Sequence, residues 1–318
     1  MNRILIFTIL ITTSFFLKAQ TTELEEDLKK QTKDTLDGWK TGGVFSLNIT
    51  QVSLTNWASG GQNSISVNGI MSLFANLKKG KSTWDNSLDL AYGLVKQGED
   101  NVRKTDDKID FTSKYGQKAR KNWYYAGLIN FKSQFTAGYN YPDDSTKISN
   151  FLAPAYVLGA IGMDYKPNDD FTLFISPFTM KTTIVNDQLL ADAGAYGVDK
   201  AEYDNLGNVL KRGKNIRSEY GGYLRGIYKK NIMENINFQT KLELFSNYAE
   251  EPTHIDVNWE VLIAMKVNKY ISATISTQLI YDHDVDIAID SNGDGLIDSF
   301  GPRTQFKEVL GVGLNYKF

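Results

Sequence analysis

The sequence predicts an all-β protein: a transmembrane up-and-down antiparallel β-barrel of about 12 strands, preceded by a short N-terminal lead-in that is helical or disordered. Three observations support this prediction. Apolar residues recur at every second position over segments of strand length. The links between these segments alternate between short and long. The last segment carries the alternation to the final residue, which is aromatic.

The N-terminal residues predict export. Arg3 is followed by an apolar run over 4–11, a second apolar patch over 15–17 and then Ala19, a pattern typical of a signal peptide cleaved after Ala19. An uncleaved anchor is the weaker interpretation, because the apolar stretch is too short and too interrupted to span a bilayer. The predicted divisions are a signal peptide at 1–19, a periplasmic segment at 20–37 and the barrel at 38–318.

Twelve segments then alternate with period 2. In one of them Trp84, Leu88 and Leu90 share a face, and in another Val257 and Trp259 do so. Successive strand residues point to opposite faces, so each segment can turn one face to lipid and the other to a lumen. The predicted strands cover 42–52, 63–77, 82–96, 107–118, 122–136, 155–166, 171–184, 216–229, 235–248, 256–267, 270–282 and 305–318.

The links between the segments separate into two classes. The short links are 78–82, 118–122, 166–170, 230–235 and 267–269. The long links are 53–62, 97–106, 137–154, 185–215, 249–255 and 283–304. Membrane barrels have short periplasmic turns and longer outer loops, whereas a soluble sandwich gives no reason for this alternation. With the N-terminus in the periplasm, the long links face outside.

The last segment, QFKEVLGVGLNYKF, has the pattern of a closing strand. Leu310, Val312, Leu314 and Tyr316 alternate with glycine, asparagine and lysine. The last strand of a barrel pairs with the first, with one face in lipid and the other in the lumen. The terminal Phe318 is similar to the C-terminal signature recognised by the outer-membrane assembly machinery.

Composition agrees with this architecture and excludes other classes. The chain has 17 tyrosines and 17 phenylalanines, but 6 prolines and no cysteine. Without cysteine there is neither a lipoprotein anchor nor a disulfide scaffold. Removing the signal peptide takes away Arg3 and Lys18, which leaves 33 basic and 37 acidic residues and a net charge of −4. That balance argues against a nucleic-acid partner. The predicted location is the bacterial outer membrane, in contact with its lipid.

Residues 51–63, QVSLTNWASGGQN, begin a stretch that resembles a known family. This motif, the following NSISVNGIMSLFANLKKGK and WDNSLDLAYGLVK, and LADAGAYGVDKAEYD in the fourth outer loop are similar to DUF3078, an uncharacterised family of Bacteroidota outer-membrane proteins. The resemblance implies the location but no activity. The motif residues are Gln51, Asn56, Trp57, Gly60 and Gly61. Trp57 suits an interfacial girdle and the glycines suit a turn with positive φ, and a ligand role for Asn56 and Trp57 is the alternative.

The last outer loop contains a motif for calcium. Its predicted ligands are Asp290, Asn292, Asp294, Leu296 through its carbonyl, and Asp298. These match the first nine positions of an EF-hand loop, but position 12 is Gly301 and the flanking segments are strands. We therefore expect a structural Ca²⁺ ion of low affinity. An ordinary acidic surface turn is the alternative.

Charges of both signs fall on the lumen-facing side of the predicted strands. The predicted network comprises Asp89, Arg217, Glu219, Arg225, Lys241, Glu243 and Glu260, with Asp85, Lys114 and Lys266 of the same orientation. An isolated charge in a narrow lumen would be costly, so these residues are expected to pair and occlude the barrel. A narrow selective pore is the alternative, because about 12 strands lie between the filled and the open barrels.

The predicted function is non-enzymatic. The barrel would act through its outer loops as a binding or assembly component, with an outer-membrane or extracellular protein partner, or through its lumen as a narrow channel. No catalytic residue is predicted. The two histidines, His254 and His283, exclude a histidine-rich metal site. The alternative is an outer-membrane hydrolase, phospholipase-like or protease-like, using His283.

Overall fold

The computed structural model describes residues 37–317 except 56–58, 60, 142, 169, 251, 269–270, 290 and 292–296. The predicted signal peptide and nearly all of the predicted periplasmic segment lie outside the described residues. The strands are β1 Gly38–Val52, β2 Ser64–Lys79, β3 Ser82–Gln97, β4 Arg103–Arg120, β5 Trp123–Ser133, β6 Gly138–Tyr139, β7 Lys147–Ser149, β8 Ala155–Tyr165, β9 Phe171–Ile184, β10 Glu202–Tyr203, β11 Val209–Lys211, β12 Ile216–Met233, β13 Ile236–Asn247, β14 Ile255–Lys266, β15 Ile271–Tyr281, β16 Asp286–Ile289, β17 Ser299–Pro302 and β18 Gln305–Lys317.

Twelve of these strands form one closed barrel in the order β1-β2-β3-β4-β5-β8-β9-β12-β13-β14-β15-β18, with β18 returning to β1. All neighbours are antiparallel, and closure pairs Phe45 with Tyr316 and Leu47 with Leu314. The predicted fold class is confirmed, and the twelve predicted strands correspond to these twelve with small differences at their ends. The short turns lie at one end of the barrel, called the periplasmic end, and the long links lie at the loop end.

The barrel wall has an apolar outside, whereas its inside carries both polar and apolar side chains. On β5, Ile129 faces outward and is 58 % exposed, whereas its neighbours Leu128 and Asn130 face the lumen and are buried. On β18, Leu310 and Val312 face outward in the same way. Exposed aromatic residues border this outer face at both ends. Trp39 packs against Trp84 near the periplasmic end, and Tyr220 and Tyr248 lie near the loop end. Such girdles mark the two interfaces of a membrane barrel.

Small elements occupy the long links. Three two-stranded hairpins, β6-β7, β10-β11 and β16-β17, lie outside the barrel sheet. A five-residue helix, α1 Gln188–Asp192, begins at Asp187, whose carboxylate accepts a hydrogen bond from the Leu189 N–H. No helix in the described part of the chain is long and apolar enough to cross a membrane.

Strand β9 bulges at Pro177, because proline cannot donate to a strand ladder. The register shifts there against β8, between Ile161 and Met163, and against β12. The hydroxyl of Ser176 lies 2.9 Å from the carbonyl oxygens of both Ile161 and Phe178, so its single hydrogen is shared between two acceptors at the bulge. The neighbouring strand approaches so closely that a Cβ atom on Gly162 would clash with the Ile175 carbonyl.

This close approach predicts a strong difference between two glycines of β8. Gly162→Ala should lower the free energy of unfolding by about 2 kcal/mol, because the backbone must move to admit the methyl group. Gly159→Ala is the matched control, since no heavy atom lies within 4 Å of its added Cβ. Urea titration in detergent measures the free energy of unfolding of both variants, with the fraction of folded protein read from the heat-modifiable gel band. Equal stability of the two variants would contradict the packing at the bulge.

Candidate functional site

The inside of the barrel carries three clusters of ion pairs, one near each end and one at mid-height. The antiparallel register produces them, because it places acidic and basic residues of adjacent strands side by side at lumen-facing positions. Asp85 lies opposite Lys114, and Lys241 lies opposite Glu260. Each cluster also takes residues from strands that are not neighbours.

The periplasmic cluster joins β3, β4 and β8. Lys114 Nζ lies 2.8 Å from the Asp164 carboxylate, and Lys166 Nζ lies 2.7 Å from Asp85 and 3.3 Å from Asp164. The Thr172 hydroxyl donates a further hydrogen bond to Asp164 at 3.0 Å. Asp164 is 1 % exposed, so both of its partners are required to compensate its removal from water.

The central cluster is built around Glu243. Its carboxylate lies 2.6 Å from Lys132 Nζ and 3.5 Å from Arg225 Nε, and it accepts a hydrogen bond from the Tyr223 hydroxyl at 2.8 Å. The amide of Asn258 donates to the second carboxylate oxygen at 2.8 Å. These contacts hold one buried acid between three strands other than its own.

The central cluster also crosses the lumen. Lys108 on β4 lies 3.5 Å from Glu260 on β14, and these two strands are six positions apart around the twelve-strand barrel. Lys241 on β13 lies 2.9 Å from Glu260 and 3.6 Å from Asp110 on β4. Side chains from opposite walls therefore meet at mid-height.

The loop-end cluster has two cations surrounded by acids. Lys181 Nζ lies 2.6 Å from Asp256, 3.2 Å from Asp282 and 3.7 Å from Glu219. The guanidinium of Arg217 lies 2.9 Å from Asp284, 3.0 Å from Glu250 and 3.5 Å from Glu219. Acids outnumber bases in this cluster, which makes it the acidic end of the lumen.

The predicted lumen residues occupy different positions in these clusters. Arg217 and Glu219 join the loop-end cluster, and Arg225, Lys241, Glu243 and Glu260 join the central one. Asp89 joins none of the three clusters as described; it accepts a hydrogen bond from the Ser72 hydroxyl at 2.6 Å. The predicted network lacks Lys108, Asp110, Lys132, Asp164, Lys166, Lys181 and Asp256. Strand parity alone could have found most of them.

Above the loop-end cluster lies a folded unit, the loop cap, formed by the described residues of 137–154 and 185–215. It has an apolar core of its own, comprising Ala153, Val185, Leu190, Ala191 and Val198 with Ala195 and Tyr196 packed against it. The Tyr196 hydroxyl donates to the Ile148 carbonyl at 2.6 Å, which joins the two segments. Burial raises the pKa of Tyr196 to about 12.

Two carboxylates hold the loop cap together. Asp187 lies 2.8 Å from Lys147 Nζ and accepts a hydrogen bond from the Asn150 amide, and these two donors lower its pKa. Asp192 accepts hydrogen bonds from the Gln188 amide and the Gly213 N–H, which lower its pKa, as does Arg212. Both carboxylates therefore stabilise the cap in their charged form.

Arg217 connects the loop cap to the lumen. While its Nη2 contacts Glu219, Glu250 and Asp284, its Nη1 donates a hydrogen bond to the carbonyl of Gly197 in the cap at 3.2 Å. Gly197 has a φ of 77°, and a side chain there would meet Arg217 and Asp284. One residue thus belongs both to the loop-end cluster and to the contact with the cap.

The outer surface of the loop cap exposes large apolar residues. Leu189 is 76 % exposed on α1, and Leu206 and Leu210 are 88 % and 69 % exposed in the β10-β11 hairpin. Tyr203 in the same hairpin is also exposed. The lipid-facing wall explains the exposed apolar residues of the barrel strands, but the cap lies beyond these strands. Such a group of exposed apolar residues is typical of an interaction site.

The two loop motifs fall largely outside the described residues. Of the first motif, Gln51 is exposed at the end of β1 and Gly61 has a φ of 114°. Asn56, Trp57 and Gly60 lie outside. Of the calcium motif, Asp298 is described, and its carboxylate accepts the Ser291 N–H at 2.7 Å. Asp290, Asn292, Asp294 and Leu296 lie outside, so calcium binding stays a prediction. The described residues contain no group of three or more acidic, histidine or cysteine residues arranged for a metal.

His283 lies at the loop end just after β15. Its ring stacks on His254 with centroids 3.7 Å apart, and its Nδ1 lies 3.2 Å from the Tyr281 hydroxyl. This arrangement brings together two imidazoles and a phenol, and the hydrolase interpretation would require a nucleophile beside them.

One family model matches part of the chain. The family model described as "Protein of unknown function (DUF3078)" matches residues 49–139, so the predicted resemblance is confirmed over that stretch. The predicted Bacteroidota origin stays a prediction. No curated protein matches the chain.

Three solved structures resemble the chain weakly. A COG4313 outer membrane channel from Pseudomonas putida F1 shares 11 % identity, with 91 % of this chain and 98 % of that chain covered and a TM-score of 0.39. The NanC porin shares 9 % identity over 86 % and 98 % of the two chains, with a TM-score of 0.34. The translocator domain of autotransporter NalP from Neisseria meningitidis shares 9 % over 90 % of each chain, with a TM-score of 0.32. Similarity at this level carries no information about function.

The barrel's own geometry gives the location. A closed sheet leaves no backbone group unpaired at its edges, and this one has an apolar outer face between aromatic girdles. An even number of antiparallel strands with short turns at one end is the architecture of bacterial outer-membrane proteins. The protein is an outer-membrane β-barrel.

The central cluster predicts a strong dependence of stability on Glu243. Glu243→Gln leaves Lys132 and Arg225 without their shared anion, so we expect the free energy of unfolding to fall by about 3 kcal/mol. The control is Glu202→Gln, which breaks the 2.7 Å pair with Lys211 where both side chains are more than 60 % exposed. That variant should unfold like the wild type, because exposed pairs contribute little. Urea unfolding in detergent compares the two variants. A control as unstable as Glu243→Gln would contradict the special contribution of the buried Glu243 to stability.

The loop cap should loosen in acid. Asp187 and Asp192 have a lower pKa in the folded cap than in an unfolded chain, so their stabilisation is complete above about pH 4 and is lost as the pH falls through the lowered pKa. Hydrogen–deuterium exchange over 188–201, corrected for the intrinsic rate, should rise as the pH falls below about 4. Asp192→Asn should exchange faster already at neutral pH. Exchange independent of pH in the wild type would contradict the role of the two carboxylates.

Proposed function

We propose that this outer-membrane β-barrel is non-enzymatic and closed to passive solute flow, and that it acts as a binding or assembly component through its loop cap. The observation that carries this proposal is the contact between Lys108 and Glu260, which lie on opposite strands and lie 3.5 Å apart inside the lumen. A wide aqueous pore has no such contact at its centre. The partner would be an outer-membrane or extracellular protein.

The loop cap supports the binding role. A disordered loop would have no apolar core, but the cap has one that orders the segments around α1. The core orders α1, which carries Leu189, and the β10-β11 hairpin carries Leu206 and Leu210, so these exposed apolar residues lie on regular backbone and are pre-organised. Pre-organised apolar residues favour a protein surface as the ligand over a small polar solute.

The narrow channel remains the second candidate because the lumen contains charges of both signs along its full height. A channel would require the crossing pairs to separate. Each crossing pair is partly buried and has additional partners, so separation would leave several charges uncompensated. We therefore favour the closed barrel.

Planar bilayer recording tests the closed barrel. The wild type should give no steady single-channel current, because side chains from opposite walls meet at mid-height. The double variant Lys108→Ala/Glu260→Ala removes both side chains of one contact across the lumen. It should conduct if that contact closes the path. Lys211→Ala/Glu202→Ala is the control, since that pair is exposed on the loop cap. Steady conductance of the wild type would favour the channel.

In-cell photocrosslinking tests the cap as a binding surface. A photoreactive amino acid at Leu206 or Leu189 should give a discrete adduct with one protein, identified by mass spectrometry. The same residue at Val102, which is 54 % exposed on a different outer loop, should give none. Equal adducts at all three positions would indicate non-specific contact. A phospholipase or protease activity that His283→Ala abolishes would instead support the hydrolase alternative.

A further inference from the structure

A groove of about 980 Å³ lies in the outer wall of the barrel, where the surface faces lipid. We call it the wall groove. It crosses β3, β4, β5, β8, β9 and β12, and one line of hydrogen-bonded neighbours along it is Trp84, Tyr115, Gly127, Ile161 and Phe178. Its volume is at the upper end of the range for small-molecule pockets, and its lining is almost wholly apolar.

Two glycines form the floor of the wall groove. Gly127 and Gly159 are at outward-facing positions of adjacent strands, and an added Cβ atom on either would have no heavy atom within 4 Å. The space above them is therefore open. Larger residues flank them: Ile161 is 70 % exposed and Phe178 is 76 % exposed. The depression exists because these two positions lack side chains, so a larger residue there would fill it.

The wall groove runs between the two interfaces of the membrane. Trp84 and Tyr115 lie at its periplasmic end, next to the short turns that follow Lys79 and Arg120. Tyr220 and Tyr248 lie at its other end, near the long links. An occupant would thus be apolar along the length of the groove and polar at one interface, which is the shape of a membrane lipid.

The two ends of the wall groove differ in charge. Lys81 lies in the β2-β3 turn, Arg120 is the last residue of β4 and Lys121 lies in the β4-β5 turn; all three are exposed. These turns are adjacent, since the Lys118 N–H donates to the Lys81 carbonyl at 2.7 Å. Within the described chain, none of these three cations has an ion-pair partner. At the loop end, by contrast, the carboxylate of Glu250 follows Tyr248 and is 69 % exposed, although it also contacts Arg217 at 3.0 Å.

We propose that the wall groove binds one anionic phospholipid of the inner leaflet. Its acyl chains lie over Gly127 and Gly159, and its phosphate lies at the periplasmic interface beside Lys81 and Arg120. The charge difference selects this orientation, because an anionic headgroup at the loop end would meet Glu250. It also selects the leaflet, since the basic turns lie at the periplasmic end. Basic residues at a membrane surface attract anionic lipid in this way.

Native mass spectrometry of the detergent-purified barrel tests the proposal with phosphatidylglycerol and phosphatidylcholine as probes. The wild type should retain one phosphatidylglycerol and bind phosphatidylcholine more weakly. Gly159→Leu should abolish the retained lipid because its side chain occupies the groove. Lys81→Gln/Arg120→Gln should weaken phosphatidylglycerol binding by about fivefold for each base removed while leaving phosphatidylcholine unchanged.

Two control variants separate the site from general lipid contact. Gly226→Leu adds the same side chain at another outward-facing glycine, where the nearest atom to a new Cβ is 3.8 Å away on Leu173. Lys229→Gln/Lys230→Gln removes two bases from β12, at another position around the periplasmic end of the barrel. Both should bind lipid like the wild type, and heat-modifiable migration checks that all variants are folded.

Three results would overturn the proposal. The first is a wild type that retains no lipid or shows no preference for phosphatidylglycerol, and the second is a Gly159→Leu variant that binds as the wild type does. The third is a dimer without lipid that Gly159→Leu dissociates, because the groove would then be an interface between two copies of the chain.

Discussion

Closure of the sheet is the constraint on which the structure depends. Because β18 pairs with β1, every barrel strand has two neighbours, and the backbone can cross an apolar medium without unpaired donors or acceptors. Closure also divides the side chains into two sets that never mix. The outer set meets lipid and is apolar, and the inner set is confined in a narrow space. Charges in that space must find partners within it, which explains the clusters from Asp164 to Lys181.

The sequence predicted the wall well because the relevant signal is local. Period-2 alternation and the lengths of the links depend on neighbouring residues, so β9 and β18 could be placed almost to the residue. The orientation of Glu243 and Lys241 followed from the same parity. Their partners did not, because Lys132 and Glu243 lie 111 residues apart in the chain and meet only through closure of the barrel.

Two other features were beyond the reach of local patterns. Pro177 lies inside a strand whose alternation hides a bulge, and its effect emerges only from the registers with two neighbours. The loop cap combines two links whose sequences look like surface loops, and its core appears only when Ala153 meets Leu190 and Val198. Small residues and aliphatic residues from separate links give no periodic signal, so neither the core nor the exposed Leu206 could be assigned a role.

The crossing pairs also bear on how such a sequence can diverge. Lys108 and Glu260 come from opposite walls and from distant parts of the gene, yet each compensates the other. A reversal of charge at one position is tolerable only alongside a matching change at its counterpart or in the surrounding acids and bases. Drift inside the lumen is therefore concerted, whereas the lipid-facing positions, which require only apolar character, can change one at a time. Within a lineage, the interior should retain a record of paired exchanges that the exterior lacks.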